Sequence, residues 1–228
     1  MYQQHASLYD RIYHWKDYGQ EAERVRSLLL DEGIADGARV VEAACGTGAY
    51  LVPLARWYDI SGYDLNEGMV QQALAKGCAA ETADMRHHRF RAHAIVCLFS
   101  SIGYVAPEDL SQVAEAWYES LPPGGVVLVE PWLDPEDAVS GHMGVHTYED
   151  ESCKLVRAAV HLREGRTSVL DFHWLVLTPT GTEHFVDSHR VHLTTRDELA
   201  APFREAGFSV RLERDGLMPD RGLLVMRK

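Results

Sequence analysis

The sequence predicts an α/β fold: a doubly wound sheet of seven strands, parallel except for its last strand, with a small antiparallel sheet inserted into it. Three observations predict it. Short apolar runs alternate with stretches of helical spacing from residue 20 to residue 130. Between residues 146 and 193 the rhythm changes to strand-like runs separated by hairpin-length turns. A capped helix and two closely spaced apolar runs then complete the chain.

Each element follows from its residues. Ala22, Val25, Leu28 and Leu29 share one helical face in residues 20–32, and Gly33 ends that helix. Residues 39–43 are a short apolar strand, and 48–57 form a helix burying Leu51, Val52, Leu54 and Ala55. Residues 58–63 are the second strand. Asn66 caps a helix carrying Met69, Val70, Ala73 and Leu74, which stops at Gly77. Residues 79–81 form the third strand. Residues 94–99 form the fourth, apolar throughout as a central parallel strand should be. A helix over 107–120 and a Pro-Pro-Gly-Gly turn lead to the fifth strand, 126–130. Runs 154–162, 167–177 and 182–193 read as the inserted antiparallel sheet. Thr195 with Glu198 forms a capping box, Gly207 ends that helix, and 208–213 and 222–226 are a final antiparallel pair.

The 228 residues, 46% hydrophobic and 25% charged, suit a single domain over 1–228, with 1–19 as an N-terminal lid and 146–193 as the inserted sheet. Cys45, Cys78, Cys97 and Cys153 are scattered and read as reduced thiols of a cytoplasmic protein. No apolar run is membrane-length, and the first five residues lack the character of a signal peptide. A formal net charge of −12 argues against a nucleic-acid or anionic-membrane partner and for a small-molecule one. The inserted sheet would either cover an active site or form a homodimer contact. The histidines show no accompanying metal-ligand pattern, so no metal is expected. Gly141 and Gly144 interrupt the helix that His142 and His146 would need to act together.

Three features combine into a ligand site at the carboxyl ends of the strands. Glu42-Ala43-Ala44-Cys45-Gly46-Thr47-Gly48 is a strand-to-helix turn, whose glycines admit a ligand close to the backbone beside free helix amides. Leu51 stands where a dinucleotide fingerprint has its third glycine, which argues against a nicotinamide cofactor. Asp64, 22 residues after Glu42 and at the end of strand two, can accept both ribose hydroxyls. Asp84, in Ala83-Asp84-Met85 after strand three, can accept from an adenine amino group beneath an apolar cover.

In this order and spacing the chain resembles class I S-adenosylmethionine (SAM)-dependent methyltransferases, which are Rossmann-like. The resemblance implies SAM as cofactor and S-adenosylhomocysteine as product. It implies that Glu42, Ala44, Gly46 and Gly48 lie along the methionine and ribose, and that Asp64 holds the ribose. Leu65 and Met69 would flank the adenine, Asp84 and Met85 bind its edge, and Phe99 and Ser100 face the methionine end.

Further motifs narrow the resemblance. Leu8-Tyr9-Asp10, Lys16-Asp17-Tyr18 with Glu21-Ala22, Phe99-Ser100-Ser101-Ile102-Gly103, Glu130-Pro131-Trp132 with Pro135-Glu136, and Arg221-Gly222-Leu223 are similar to N,N-dimethyltransferases acting on TDP-linked amino sugars of the desosamine and mycaminose type. The chain departs from that family at Tyr104, where the family has a histidine near the reacting amine. It departs again at Leu133-Asp134, after the Glu-Pro-Trp run.

The implied reaction is an in-line methyl transfer to the amine of a small molecule. Proximity and orientation supply most of the catalysis, and the amine proton leaves to water or to a side chain. Tyr104, Tyr18 and Glu130 are the candidate catalytic residues. Tyr2, Tyr18, Tyr104, Trp132, His173 and Arg221 are the candidate acceptor-binding residues. Arg221 is matched to a diphosphate by the resemblance, and His173 is paired with Asp171 on one strand face. Two other readings stand beside this one: a small-molecule O-methyltransferase, and a non-catalytic regulatory protein that binds SAM or S-adenosylhomocysteine.

Overall fold

The computed structural model describes residues 6–218 and 221–228. The elements run α1 (Ala6–Ile12), α2 (Tyr18–Asp31), β1 (Arg39–Ala43), α3 (Leu51–Leu54), β2 (Asp59–Asp64), α4 (Glu67–Ala75), β3 (Ala80–Thr82), β4 (Ala94–Cys97), α5 (Leu110–Ser120), β5 (Val126–Val129), β6 (His142–Glu149), β7 (Lys154–Glu164), β8 (Thr167–Thr178), β9 (Gly181–His192), α6 (Arg196–Glu205), β10 (Ser209–Glu213) and β11 (Leu223–Arg227). The main sheet has seven strands in the order β3-β2-β1-β4-β5-β11-β10, with β11 antiparallel to both neighbours. The order reverses between β1 and β4, which opens a crevice beyond their carboxyl ends. Among the described residues no helix is long and apolar enough to cross a membrane.

Two cores follow from strand alternation. Val40, Ala94, Val96, Val126, Leu128, Leu223 and Val225 face α2 and α3. Their neighbours Val41, Ile95, Cys97, Val127, Val129, Leu224 and Met226 face α5 and α6. Both faces of the central strands are therefore covered, and the sequences of β4 and β5 are apolar without interruption. Trp117 of α5 is fully buried and donates its indole N–H to the Tyr63 hydroxyl at 3.0 Å. The capping box at Thr195 and Glu198 is formed, and Asn66 caps α4 by accepting from Met69 N at 3.2 Å.

The structure corrects two expectations. The helix after the glycine turn is one turn long, Leu51–Leu54, rather than 48–57. Pro53 is the reason: it has no N–H and is tolerated only in a first turn, so a helix starting at residue 48 would break at it. The inserted sheet has four strands, ordered β6-β7-β8-β9, and begins at His142 rather than residue 146. The hidden strand β6 turns its apolar residues outward, with Met143 76% and Val145 66% exposed, while Gly144 and His146 face in. Its pattern is inverted because its inner face, with His142, Gly144 and His146, borders the ligand cavity instead of a packed core.

The insert stacks over the strand ends through α1. Ile12, fully buried, packs with Cys153, Leu155, Trp174 and Val176. From the same helix, Asp10 accepts from Thr47 Oγ1 of the glycine turn at 2.5 Å and pairs with Lys76 at the end of α4. The segment expected to act as a lid therefore ties the glycine turn to the inserted sheet.

Candidate active site

The glycine turn leaves β1 with Ala44 at φ +55°, Gly46 at φ +54° and Gly48 at φ +78°. At Gly48 a Cβ would lie 3.1 Å from Cys78 Sγ and 3.2 Å from Ala73 Cβ, so both conformation and space require glycine there. Three non-glycine residues among those described have positive φ: Ala44, Phe99 and Ser100. They end β1 and β4, the two strands flanking the switch point, and such strain persists where the surrounding structure enforces it.

Glu42 is buried at the end of β1, and its Oε2 has no hydrogen-bond partner. Burial, and then the nearby Asp64 charge, raise its pKa well above the ordinary value. Asp64 accepts from Gly46 N at 2.9 Å and Asn66 N at 2.8 Å, so it holds the glycine turn in place. Burial raises its pKa as well, opposed by those two amides. Asp84 is held by Arg86, whose guanidinium makes contacts of 2.6 and 3.0 Å and also reaches Asp109 at 2.9 Å. Leu65, Met69, Asp84 and Met85 all border one large cavity with Ala44, Gly46 and Asp64.

That cavity is about 1200 Å³, large enough for two ligands meeting end to end. One wall is the strand-end crevice, with carboxylates at Asp64, Asp84 and Asp109. The opposite wall is the inner face of the inserted sheet, which contributes Arg157 and several histidines and, among the described residues, no carboxylate to the lining. The insert covers the crevice, in agreement with the first of its two expected roles.

The expected acceptor residues separate clearly. Tyr104, Trp132 and Arg221 border the cavity, as do Phe99 and Ser100. The Arg221 guanidinium lies 4.5 Å from the Trp132 ring centroid and donates to Ser100 Oγ at 2.8 Å. Burial lowers its pKa, opposed by Glu130. Tyr104 borders the cavity, and its hydroxyl contacts His189 Nδ1 at 2.6 Å.

Three expectations are corrected. Tyr18 does not reach the large cavity. It borders a separate pocket of about 40 Å³ with Glu42 and Gly46, packed edge-on to Tyr50 at 4.9 Å, because α2 runs beneath the glycine turn. Glu130 is fully buried and both its oxygens are engaged: Oε2 accepts from Phe99 N at 2.7 Å and Oε1 from Met218 N at 2.9 Å. It holds the strained Phe99 and is not on the cavity wall. His173 faces outward and stacks on His184 at 5.7 Å. The phase of β8 is set by Phe172 and Trp174, which turn inward, so Asp171 and His173 take the exposed face. Tyr2 lies outside the described residues.

A methyltransferase domain model matches residues 40–125, the segment holding all three donor-side features. The dTDP-3-amino-3,4,6-trideoxy-α-D-glucopyranose N,N-dimethyltransferase of Streptomyces venezuelae is 32% identical, covering 97% of this chain and 96% of that protein. The chain belongs to the class I SAM-dependent methyltransferases, in the family of the dTDP-amino-sugar N,N-dimethyltransferases. The dTDP-3-amino-3,6-dideoxy-α-D-glucopyranose N,N-dimethyltransferase of Streptomyces fradiae is 34% identical over 90% of this chain and 84% of its own. The crystal structure of Streptomyces venezuelae DesVI superposes with a TM-score of 0.91 at 32% identity, covering 98% of both chains.

Sequence reasoning missed four residues of this methyltransferase's cavity. Arg157 is buried, and its Nε and Nη1 have no hydrogen-bond partner. Its guanidinium lies 4.6 Å from the Tyr13 ring centroid and 4.5 Å from that of Phe172. An arginine in the inward phase of a strand, two residues after buried Leu155, was the available signal. Tyr13 and His189 complete this wall, and Arg86 joins the opposite one. His189 and Asp187 were legible as an i,i+2 pair on one strand face, the relation that was assigned to Asp171 and His173 instead.

Proposed function

We propose that this methyltransferase moves a methyl group from SAM to the amine of a nucleotide-linked amino sugar. The observation that carries the reading is Arg157, a buried guanidinium on the cavity wall with no carboxylate partner among the described residues. Aromatic faces compensate a buried guanidinium only in part, and an anionic ligand would complete its pairing. With Arg221 it forms the basic part of an otherwise aromatic wall, which suits a diphosphate carried by the acceptor. The two dimethyltransferase relatives, whose names give dTDP-linked amino sugars as substrates, support the same acceptor class.

The donor side fits SAM on its own evidence: an orphaned buried carboxylate oxygen at Glu42, a glycine turn that a Cβ would fill at Gly48, and acceptors at Asp64 and Asp84. SAM, when bound, supplies a methyl carbon already activated by its sulfonium. Glu42, in the small pocket beside the glycine turn, would face the cationic methionine end, Asp64 would take the ribose hydroxyls, Leu65, Met69 and Met85 would enclose the adenine, and Asp84 with Arg86 would border its edge. The insert would exclude water and hold the acceptor through Arg157, while Arg221 from the entry to β11 and Trp132 after β5 supply a second cation and an apolar wall from the main sheet. Orientation of this kind can supply most of the rate enhancement of an in-line transfer.

The acceptor reading is tested with isotopically labelled SAM and three acceptors: a dTDP-amino sugar, the same sugar without its nucleotide, and a dTDP-sugar bearing hydroxyls only. Transfer to the first, far above the other two, is expected. Equal transfer to a hydroxyl-only sugar would sink it. Arg157→Met should raise KM for the nucleotide-linked acceptor by about 10- to 100-fold, the loss of one charge-assisted hydrogen bond. It should leave the melting temperature unchanged or higher, since methionine fills the aromatic box without an isolated charge.

Glu42 gives a second prediction. Its carboxyl binds a proton more tightly in the free protein than an ordinary glutamate does, because of burial and Asp64. A cationic ligand beside it lowers that pKa, so the complex holds fewer protons than the free protein. SAM binding therefore releases protons and tightens as pH rises between the bound-state and free-state pKa values. Calorimetry in two buffers of different ionisation enthalpy should report this release, and Glu42→Gln should abolish it. Equal proton release by the variant would remove Glu42 from this role.

A further inference from the structure

Against Tyr104 the inserted sheet places a buried histidine. His189 lies on the inner face of β9, 2% exposed, with its ring nitrogens engaged on both sides. Nε2 is 2.9 Å from Asp187 Oδ2, and Nδ1 is 2.6 Å from the Tyr104 hydroxyl. Asp187, 8% exposed, is two residues earlier on the same strand and so shares its face. Phe172 holds the imidazole edge-on at 5.0 Å.

The polarity of this chain of hydrogen bonds is dictated from its buried end. A carboxylate only accepts, so His189 Nε2 carries the hydrogen that faces Asp187. In the neutral ring Nδ1 is then an acceptor, and the Tyr104 O–H must donate to it. That leaves the lone pairs of the Tyr104 oxygen for a donor arriving from the cavity. Tyr104 follows Ser100 and Ser101 in the turn after β4, and all three border the cavity beside Asp64 and Phe99.

An amino-sugar acceptor offers such a group a proton to take. An alkylamine with a pKa near that of lysine, about 10, is protonated at neutral pH and has no free electron pair. We propose that Tyr104, His189 and Asp187 form a proton relay that deprotonates the acceptor amine. Tyr104 is the catalytic residue, and His189 and Asp187 are positioning residues that also receive the charge. This rests on the reading of the acceptor as an amine. One N–H bond of the ammonium breaks and its electron pair stays on nitrogen for attack on the methyl carbon. The proton goes to the Tyr104 oxygen as the Tyr104 hydroxyl proton passes to His189 Nδ1, and the imidazolium rests on the Asp187 carboxylate. The proton returns to solvent when product leaves.

The surroundings suit a neutral shuttle rather than a phenolate. Burial, then Tyr13 and Asp187, hold the Tyr104 hydroxyl well above its ordinary pKa, with Asp64 adding and Arg157 opposing. These groups come from β2, β7, β9 and the segment after α1, so among the described residues the charged groups facing the relay are Asp64, Arg157 and Asp187, with the Tyr13 phenol beside them.

The test compares the full-length enzyme with Tyr104→Phe, which deletes one hydroxyl and keeps the ring, and with His189→Gln. kcat and KM are measured from pH 6 to pH 10 with a dTDP-amino sugar, and SAM affinity is measured by calorimetry. Both variants should bind SAM within threefold of the unsubstituted enzyme. Both should lose about 100-fold or more in kcat at neutral pH, within the range of about 100- to 10,000-fold usual for one acid–base group. Their rates should recover as pH approaches the pKa of the amine, where the acceptor no longer needs the relay. A purely structural role would give a loss independent of pH, and that result overturns the proposal. So does an unchanged kcat with an unchanged pH profile in Tyr104→Phe. Failure of the unsubstituted enzyme to methylate any amine would overturn the acceptor reading itself, a separate outcome.

Discussion

Replacing Asp64 by alanine is expected to weaken SAM binding by on the order of 100-fold, roughly 3 kcal/mol. Two losses combine in that figure. The carboxylate holds the glycine turn through Gly46 N and the entry to α4 through Asn66 N, at 2.9 and 2.8 Å. It is also the acceptor available to the ribose hydroxyls. Each hydrogen bond to a charged group is worth about 1.5–3 kcal/mol, and the turn that cradles the methionine end loosens as well. Asp64→Asn should fall close behind, because one amide oxygen cannot serve two backbone donors while its NH2 faces a third. Calorimetric titration of SAM measures both. A change below threefold in Asp64→Ala would mean that the ribose is held elsewhere.

The second large effect is on stability. Glu130→Ala leaves the amides of Phe99 and Met218 without their acceptor in a fully buried site. It also removes the carboxylate that balances Arg221. Two unsatisfied donors at about 1–3 kcal/mol each predict a loss of about 3–5 kcal/mol. For a chain of this size that is a fall in melting temperature on the order of 10 °C. Glu130→Gln keeps one acceptor oxygen and should lose about half as much. Its kcat at a permissive temperature should stay within a few-fold, whereas a catalytic base would lose far more than stability explains. Thermal denaturation with parallel kinetics separates the two roles.

These two carboxylates illustrate what spacing can and cannot reveal. Both end a strand of the parallel sheet, and both were legible as functional candidates on that ground. Asp64 turned out to face the crevice and Glu130 to face away from it. Asp64 is followed directly by a residue exposed to the cavity, Leu65. Glu130 instead sits under Phe99, whose left-handed backbone turns an amide down onto the carboxylate. A strand-end position specifies an address near the ligand, and the side-chain direction depends on which neighbouring backbone needs an acceptor.

The inserted sheet shows the same division more strongly. Its strands β7, β8 and β9 were visible as alternating runs between turns. Strand β6 was not, because its polar face points inward toward the cavity and its apolar face outward. For the same reason His173 was taken for a cavity residue and Arg157, His189 and Asp187 were passed over. Alternation tells which residues share a face, but a sheet has two faces and only packing says which is the inner one.

The sequence by itself therefore determined the donor half of this methyltransferase. A glycine turn, an aspartate after β2 and an aspartate after β3 are local to successive βα units, and a doubly wound sheet must bring its strand ends together. The acceptor half was legible only in part: Tyr104, Trp132 and Arg221 were candidates from their motifs, and only the tertiary structure brings Arg157, His189 and Asp187 to them. Tyr104, His189, Asp187, Arg157 and Arg221 come from the turn after β4, from two strands of the insert and from the entry to β11, separated by tens of residues. No local periodicity relates them. They meet because α1 and the insert close over the crevice, and that closure is a matter of packing between elements rather than of pattern within one.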